Sequence, residues 1–188
     1  LCLDQCPLLG YIPSGSTNDF ASSLKIPRDM LEAARDVIGG EPFAVDIGRF
    51  CEDRYFAYIA GFGAFTEVSY LTPQDKKNWL GHNAYMLEGV KSLAGLKPRH
   101  MKVEWDGKCV EDDFVFGMVT NSISVGGFKG LVNQSVAMDD GKFEVLLIRM
   151  PRTPVDLTNI INYMFLKEEP NEYVHKFKAS SIRMTSQE

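Results

Sequence analysis

Asp106-Gly107 stands between two β-type runs, MKVEW (101–105) and KCVED (108–112). The favoured two-residue hairpin turn needs φ > 0 at both central positions, and Asp-Gly satisfies that at little steric cost. This pair commits the middle of the chain to antiparallel strands. Much of the remaining sequence agrees. In PFAVDIGRF (42–50), Phe43, Val45 and Ile47 alternate with Ala44, Asp46 and Gly48, the period of a strand. RYFAYIAGFG (54–63) reads as its hairpin partner, with 51–53 in the turn. FVFGMVTNS (114–122) and FEVLLIRM (143–150) are apolar enough to be central strands. VHKFKASSIRMTS (174–186) reads as one or two more.

Two helices interrupt this pattern. Thr72-Pro73-Gln74-Asp75 and Thr153-Pro154-Val155-Asp156 each offer a threonine cap, a proline at the first helical position and an acid in the first turn. Leu80, Ala84, Leu87, Val90 and Ala94 form the first apolar stripe. Leu157, Ile160, Ile161, Met164 and Phe165 form the second. The expected fold is α+β and mainly β: a two-sheet antiparallel β-sandwich with a few helices. The first forty residues differ. LLGYI (8–12) reads as a short buried strand ended by Pro13, and a short helix is expected over 17–24. A second helix opens at Pro27 with Met30, Leu31, Ala34, Val37 and Ile38 on one face, and Gly39-Gly40 stops it. This looks like the tail of an α/β layer. Residues 1–40 are therefore expected to be a remnant of another domain, and 41–188 the β-rich domain. The chain opens on Leu1, as a piece of something longer would.

At 188 residues the chain can bury a core without disulfides. Its net charge of −5 argues against general nucleic-acid binding. The four cysteines form no C-x-x-C pair and there are three histidines, so a structural zinc site is not expected. No apolar run approaches the ~20 residues of a spanning helix, which points to a cytoplasmic protein.

Three stretches could carry chemistry. In IPSGSTNDF (12–20) a strand, a glycine turn and a helix start succeed one another. Unpaired N–H groups there favour an anion; Gly15 would admit a phosphate, and Ser16 and Thr17 would add hydroxyl donors. Asp19 is awkward beside phosphate and should bind a cation, a neighbouring domain or its own backbone. The plain alternative is helix capping with no ligand. Asp139-Asp140-Gly141 leads into a strand, where Asp140 with nearby carbonyls and waters could hold Mg²⁺; the alternative is an ordinary turn. NSISVGGFKG (121–130) is either a mobile loop at a cleft rim or a simple connection. His82 and the acids Glu111, Asp112 and Asp113 read as surface residues.

Taken in order, these stretches resemble one family. IPSGSTNDFASSLKIP (12–27) is similar to the P-x-G-T-x-N-D-F-A-R-x-L segment of diacylglycerol kinase-like bacterial lipid kinases. VDIGR (45–49) with YFAYIAGFGAFTEV (55–68), NWLGHNAYMLEGVKSL (78–93), and VTNSISVGGFKGLVNQSVAMDDGKFEVLLI (119–148) resemble the family's later blocks. The resemblance implies an ATP-dependent kinase that transfers the γ-phosphoryl group to a lipid hydroxyl, with ATP and Mg²⁺ as cofactors. It implies that Gly15 and Ser16 touch the ATP phosphates, Ser16 standing where threonine is usual. Asn18 and Asp19 would order the junction between the nucleotide domain and the β-rich domain. Asp140 would bind a structural Mg²⁺ with the carbonyls of Ala137 and Lys142. The family's Gly-Gly-Asp-Gly-Thr loop and its C-terminal Asp-Gly-Glu segment are not in these 188 residues, so the piece is expected to be inactive alone. Partners expected on this reading are the lipid, ATP, the membrane surface peripherally and a second copy of the chain. An NAD kinase-like enzyme and a non-catalytic lipid- or partner-binding β domain are the competing readings.

Overall fold

The structure is a computed structural model, and it describes residues 8–64, 97–126, 128–129, 136–166 and 171–186. The helix expected after Thr72, its apolar stripe and His82 lie outside the described residues.

The chain begins with α1 (Asp19–Ser23) and α2 (Met30–Gly39), then the small ribbon of β1 (Gly48–Phe50) and β2 (Arg54–Phe56). The main strands are β3 (Ile59–Gly63), β4 (Arg99–Trp105) and β5 (Lys108–Thr120), followed by a second ribbon of β6 (Ser124–Val125) and β7 (Phe128–Lys129). Then come β8 (Phe143–Arg149), α3 (Pro154–Leu166), β9 (Val174–Ala179) and β10 (Arg183–Ser186). All pairings are antiparallel, and the six-stranded sheet runs β10-β4-β5-β8-β9 with β3 on the far half of β5.

The expected hairpin is present: Asp106 has φ 44° and Gly107 φ 75°, and Trp105 pairs with Lys108. The strand beyond this turn differs from expectation. The runs 108–112 and 114–122, which read as separate strands, are one 13-residue strand, β5. Its first half pairs with β4 and its second half with β3 and β8. Between Phe114 and Phe116 the register with β8 shifts. A bulge of this kind bends a strand and resets which side chains face which way. Phe114 belongs to one hydrophobic cluster, while Val115 and Phe116 both belong to the other.

The bend turns one sheet into two layers. Strands lie about 4.8 Å apart, so in a flat sheet β4 and β9 would stand ~14 Å apart. Trp105 of β4 instead stacks on Phe177 of β9 with ring centroids 3.8 Å apart. The chain also crosses from β9 to β10, at opposite ends of the pairing order, within residues 180–182. Such a link reaches about 14 Å at most, which only a folded-over sheet permits. Met101, Val103, Phe114, Val145 and Leu147 fill the space between the layers. On the opposite face Met118, Leu146, Ile148 and Val174 pack against Ile160 of α3. With both faces covered, β8 is buried from Phe143 to Ile148, as its unbroken apolar run requires.

α3 starts as its sequence prescribes. Asp156 N–H donates to Thr153 Oγ1 at 3.2 Å, and Asp156 Oδ2 accepts from Thr153 N–H at 2.7 Å. The N-terminal part departs from expectation in three ways. Residues 8–12 form no strand and Leu8 is 81% exposed, because a strand needs a hydrogen-bonding neighbour and no described strand lies beside them. α2 starts after Asp29, whose carboxylate accepts from Leu31 and Glu32 N–H, rather than at Pro27. Its expected core face is exposed at Met30, Leu31, Val37 and Ile38, while Ala33 is the buried residue. In 42–50 only the last three residues pair, and 54–63 breaks into β2 and β3.

Candidate functional site at the end of β5

α1 is held to the β-rich part by its acid. Asp19 is 7% exposed. Its Oδ1 accepts from Ser124 Oγ at 2.6 Å, and its Oδ2 from the Tyr58 hydroxyl at 3.0 Å. Burial first, and then the Asp19 carboxylate, push the Tyr58 pKa well up, so the phenol stays protonated and donates. Gly126 N–H reaches the same phenol oxygen at 3.4 Å. Ser23, one turn after Asp19, shares a 2.7 Å hydrogen bond with Ser122 and accepts from Ile123 N–H at 3.0 Å. The ring of Phe20 stands between Tyr11 at 5.9 Å and Tyr58 at 6.3 Å. Within the 121–130 stretch, Asn121, Ser122 and Ser124 are buried, and Ser122 to Ser124 serve as the docking surface of α1.

The turn before α1 is stapled from within. Asn18 takes a left-handed conformation, φ 54°. Its side chain brackets Gly15, accepting from Gly15 N–H at 2.9 Å and donating to Gly15 O at 2.6 Å. Gly15 N–H is therefore already used within the turn. With only five residues, α1 has little dipole to offer an anion. Ser14, Gly15, Ser16 and Thr17 are nevertheless exposed, so the turn offers the side chains of Ser14, Ser16 and Thr17 to solvent.

The second candidate stretch lies at the same end of β5. Asn121 Nδ2 donates to Met138 O at 3.0 Å and to Asp46 O at 3.2 Å. Asp46 N–H donates to Met138 O, and Gly141 N–H donates to Asp46 Oδ2 at 2.6 Å. Gly141 has φ 70°, the left-handed turn expected of Asp-Gly. Asp140 Oδ1 accepts from Lys142 N–H at 3.0 Å, and its Oδ2 lies 3.4 Å from Lys178 Nζ. Asn121 to Ser124 thereby join the Gly15–Asp19 turn to the Asp139–Gly141 turn. Among the described residues no group of three or more His, Cys, Asp or Glu side chains is placed to hold a metal. A set of one carboxylate, Asp140, with the carbonyls of Ala137 and Lys142 is oxygen-only and surface-accessible, which suits a hard cation that keeps its waters.

Asn121 and Ser124 fall in the 121–130 stretch singled out in the sequence, whereas Tyr58, Asp46 and Lys178 are not apparent there as site residues. Each is an ordinary strand or turn residue until the fold brings it to one place. The acids 111–113 are also better engaged than expected: Asp112 lies 3.0 Å from Arg149, and Glu111 and Asp113 flank His100.

The chain is similar to known proteins. The family described as diacylglycerol kinase catalytic domain matches residues 2–50. A diacylglycerol kinase of Bacillus subtilis (strain 168) is 43% identical over 148 residues, 78% of this chain and 48% of the relative. One of Staphylococcus aureus (strain Newman) is 35% identical over 142 residues, 76% of this chain and 44% of the relative. The fold is similar to a crystal structure of a candidate diacylglycerol kinase from Bacillus anthracis, with TM-score 0.73 at 25% identity over 97% of this chain and 60% of that one. These likenesses place the chain among diacylglycerol kinase-like proteins. The chain belongs to the diacylglycerol kinase-like family, and it spans about half the length of the curated relatives it matches.

Proposed function

We propose that this chain is the β-rich domain, residues 41–188, with the end of a nucleotide domain, residues 1–40, of an ATP-dependent kinase. The reaction is transfer of the γ-phosphoryl group of ATP to the hydroxyl of a diacylglycerol-like lipid. The observation that carries this reading is the anchoring of the exposed Ser14–Thr17 turn by Asp19, which presents the hydroxyls of Ser14, Ser16 and Thr17 at the border between residues 1–40 and the sandwich. Phosphoryl transfer depends mostly on positioning and on donors that offset charge on the phosphate oxygens. Ser16 and Thr17 supply such donors, Asn18 holds the turn through Gly15, and Asp19 fixes it to the sandwich. Mg²⁺ at Asp140, with the carbonyls of Ala137 and Lys142, would brace the 137–142 turn rather than take part in the transfer.

No helix of the described residues is long and apolar enough to cross a membrane. A lipid substrate then calls for peripheral contact with a membrane surface from the cytoplasmic side, where ATP is available. The piece by itself is expected to phosphorylate nothing. The test is a lipid-panel assay on the gene product that contains this chain, with ATP as donor and NAD as a competing acceptor. Diacylglycerol-like lipids should be phosphorylated and NAD should not; labelling of NAD, or of no lipid, overturns the reading. Ser16→Ala should lower kcat/KM for ATP by roughly ten- to a hundredfold, the effect of losing a charge-assisted hydrogen bond of about 1–3 kcal/mol. An unchanged kcat/KM would remove Ser16 from the phosphate site.

A further inference from the structure

Negative charge converges on the inner side of the Asp139–Gly141 turn. Asp46 is bonded to Gly141 N–H, Asp140 faces β9, and Glu144 lies below them in the sheet at 1% exposure. Lys178 answers two of these charges at once: its Nζ is 3.1 Å from Glu144 Oε1 and 3.4 Å from Asp140 Oδ2. The placement is fixed by the sheet, because Glu144 and Lys178 are direct cross-strand partners in β8 and β9. A buried carboxylate holds its counter-ion firmly, since removing the partner would leave a desolvated charge alone. The contact to Asp140 is longer and nearer solvent, and it occupies the carboxylate oxygen not already bonded to Lys142 N–H.

We propose that Lys178 is the built-in counter-ion of this turn, and that it sets the divalent-cation affinity of Asp140 by competing for Oδ2. This inference rests on the reading of Asp140 as a ligand of Mg²⁺. An ammonium and a dication sharing one oxygen repel each other, so the ion binds only as Lys178 withdraws toward Glu144. Without a divalent ion the ammonium keeps the turn closed, and the sandwich does not depend on metal to fold.

The test is a Mn²⁺ titration followed by electron paramagnetic resonance, with thermal unfolding in MgCl₂ against NaCl of equal ionic strength as a second readout. It compares the full chain with Lys178→Met, with Glu144→Gln, with the double variant Glu144→Gln/Lys178→Met, and with Asp140→Asn. The double variant removes the buried pair together, so it gives an answer even if Lys178→Met alone misfolds. Loss of Lys178 should tighten Mn²⁺ binding about tenfold, within the span usual for coupled sites, and enlarge the thermal shift with MgCl₂. Because Glu144→Gln also removes a negative charge from beside the turn, the double variant is read against Glu144→Gln alone, and equal affinity of those two overturns the counter-ion role while leaving the site in place. Binding that survives Asp140→Asn unchanged overturns the Asp140 reading itself, and this inference with it.

Discussion

At the residue scale, Asp19 shows how a misfit in sequence becomes a contact in structure. A carboxylate beside a phosphate turn repels the ligand, so it must be aimed elsewhere. Here it points into the sandwich and is met by two hydroxyls. Tyr58→Phe and Ser124→Ala should each destabilise the chain by about 1–3 kcal/mol, because each removes a donor from a buried carboxylate. Since both donors serve one group, the double variant should depart from additivity in a denaturant-unfolding cycle. Strict additivity would show that the two bonds do not act on a common acceptor. The tension at Asp19 is legible in the sequence, but its resolution is not. Tyr58 lies 39 residues away and Ser124 lies 105 away, and no local pattern pairs either of them with Asp19.

At the element scale, the β4–β5 hairpin is legible from Asp106-Gly107 because the turn's backbone demand is local. The union of two apparent strands into β5 is not, because a bulge at Phe114–Phe116 is set by its neighbours in β8. The hairpin carries a pH-sensitive cross-strand cluster. His100 Nδ1 lies 2.8 Å from Asp113 and its Nε2 3.3 Å from Glu111. The Asp113 hydrogen bond first, and the Glu111 one next, raise the His100 pKa. A histidine raised on folding stabilises the fold fully below its unfolded value of about 6.5 and loses that contribution as pH climbs through the folded value. Between about pH 5 and 9, a range that brackets this titration, the melting temperature of the chain should therefore fall more than that of His100→Gln. Parallel curves would show that the cluster adds nothing to stability. In the second half of β5, a methyl group on Gly117 would run into the Phe62 ring and Leu147. Gly117→Ala should cost about 1–3 kcal/mol by overpacking, and a thermal melt equal to that of the parent would refute this.

At the scale of the whole molecule, large exposed apolar residues gather in the first fifty positions. Leu8, Leu9, Leu31, Ile38 and Phe43 are all exposed, Ile38 at 87%. The period of α2 is legible in the sequence, but the direction of its stripe is not, because what an amphipathic face packs against is never written in the helix itself. Exposed apolar side chains of this size bind other apolar surface where they lie together. The isolated chain should self-associate with rising concentration, and Leu31→Lys with Ile38→Lys should suppress it in sedimentation velocity. Equal behaviour of parent and variant would place the contact elsewhere. The sandwich behaves differently, because β5 belongs to both of its layers. A cut or a local opening cannot peel one layer from the other without tearing the strand that threads them both. Amide protons of β4 and β8 should thus exchange with solvent through a single shared event, as one cooperative block.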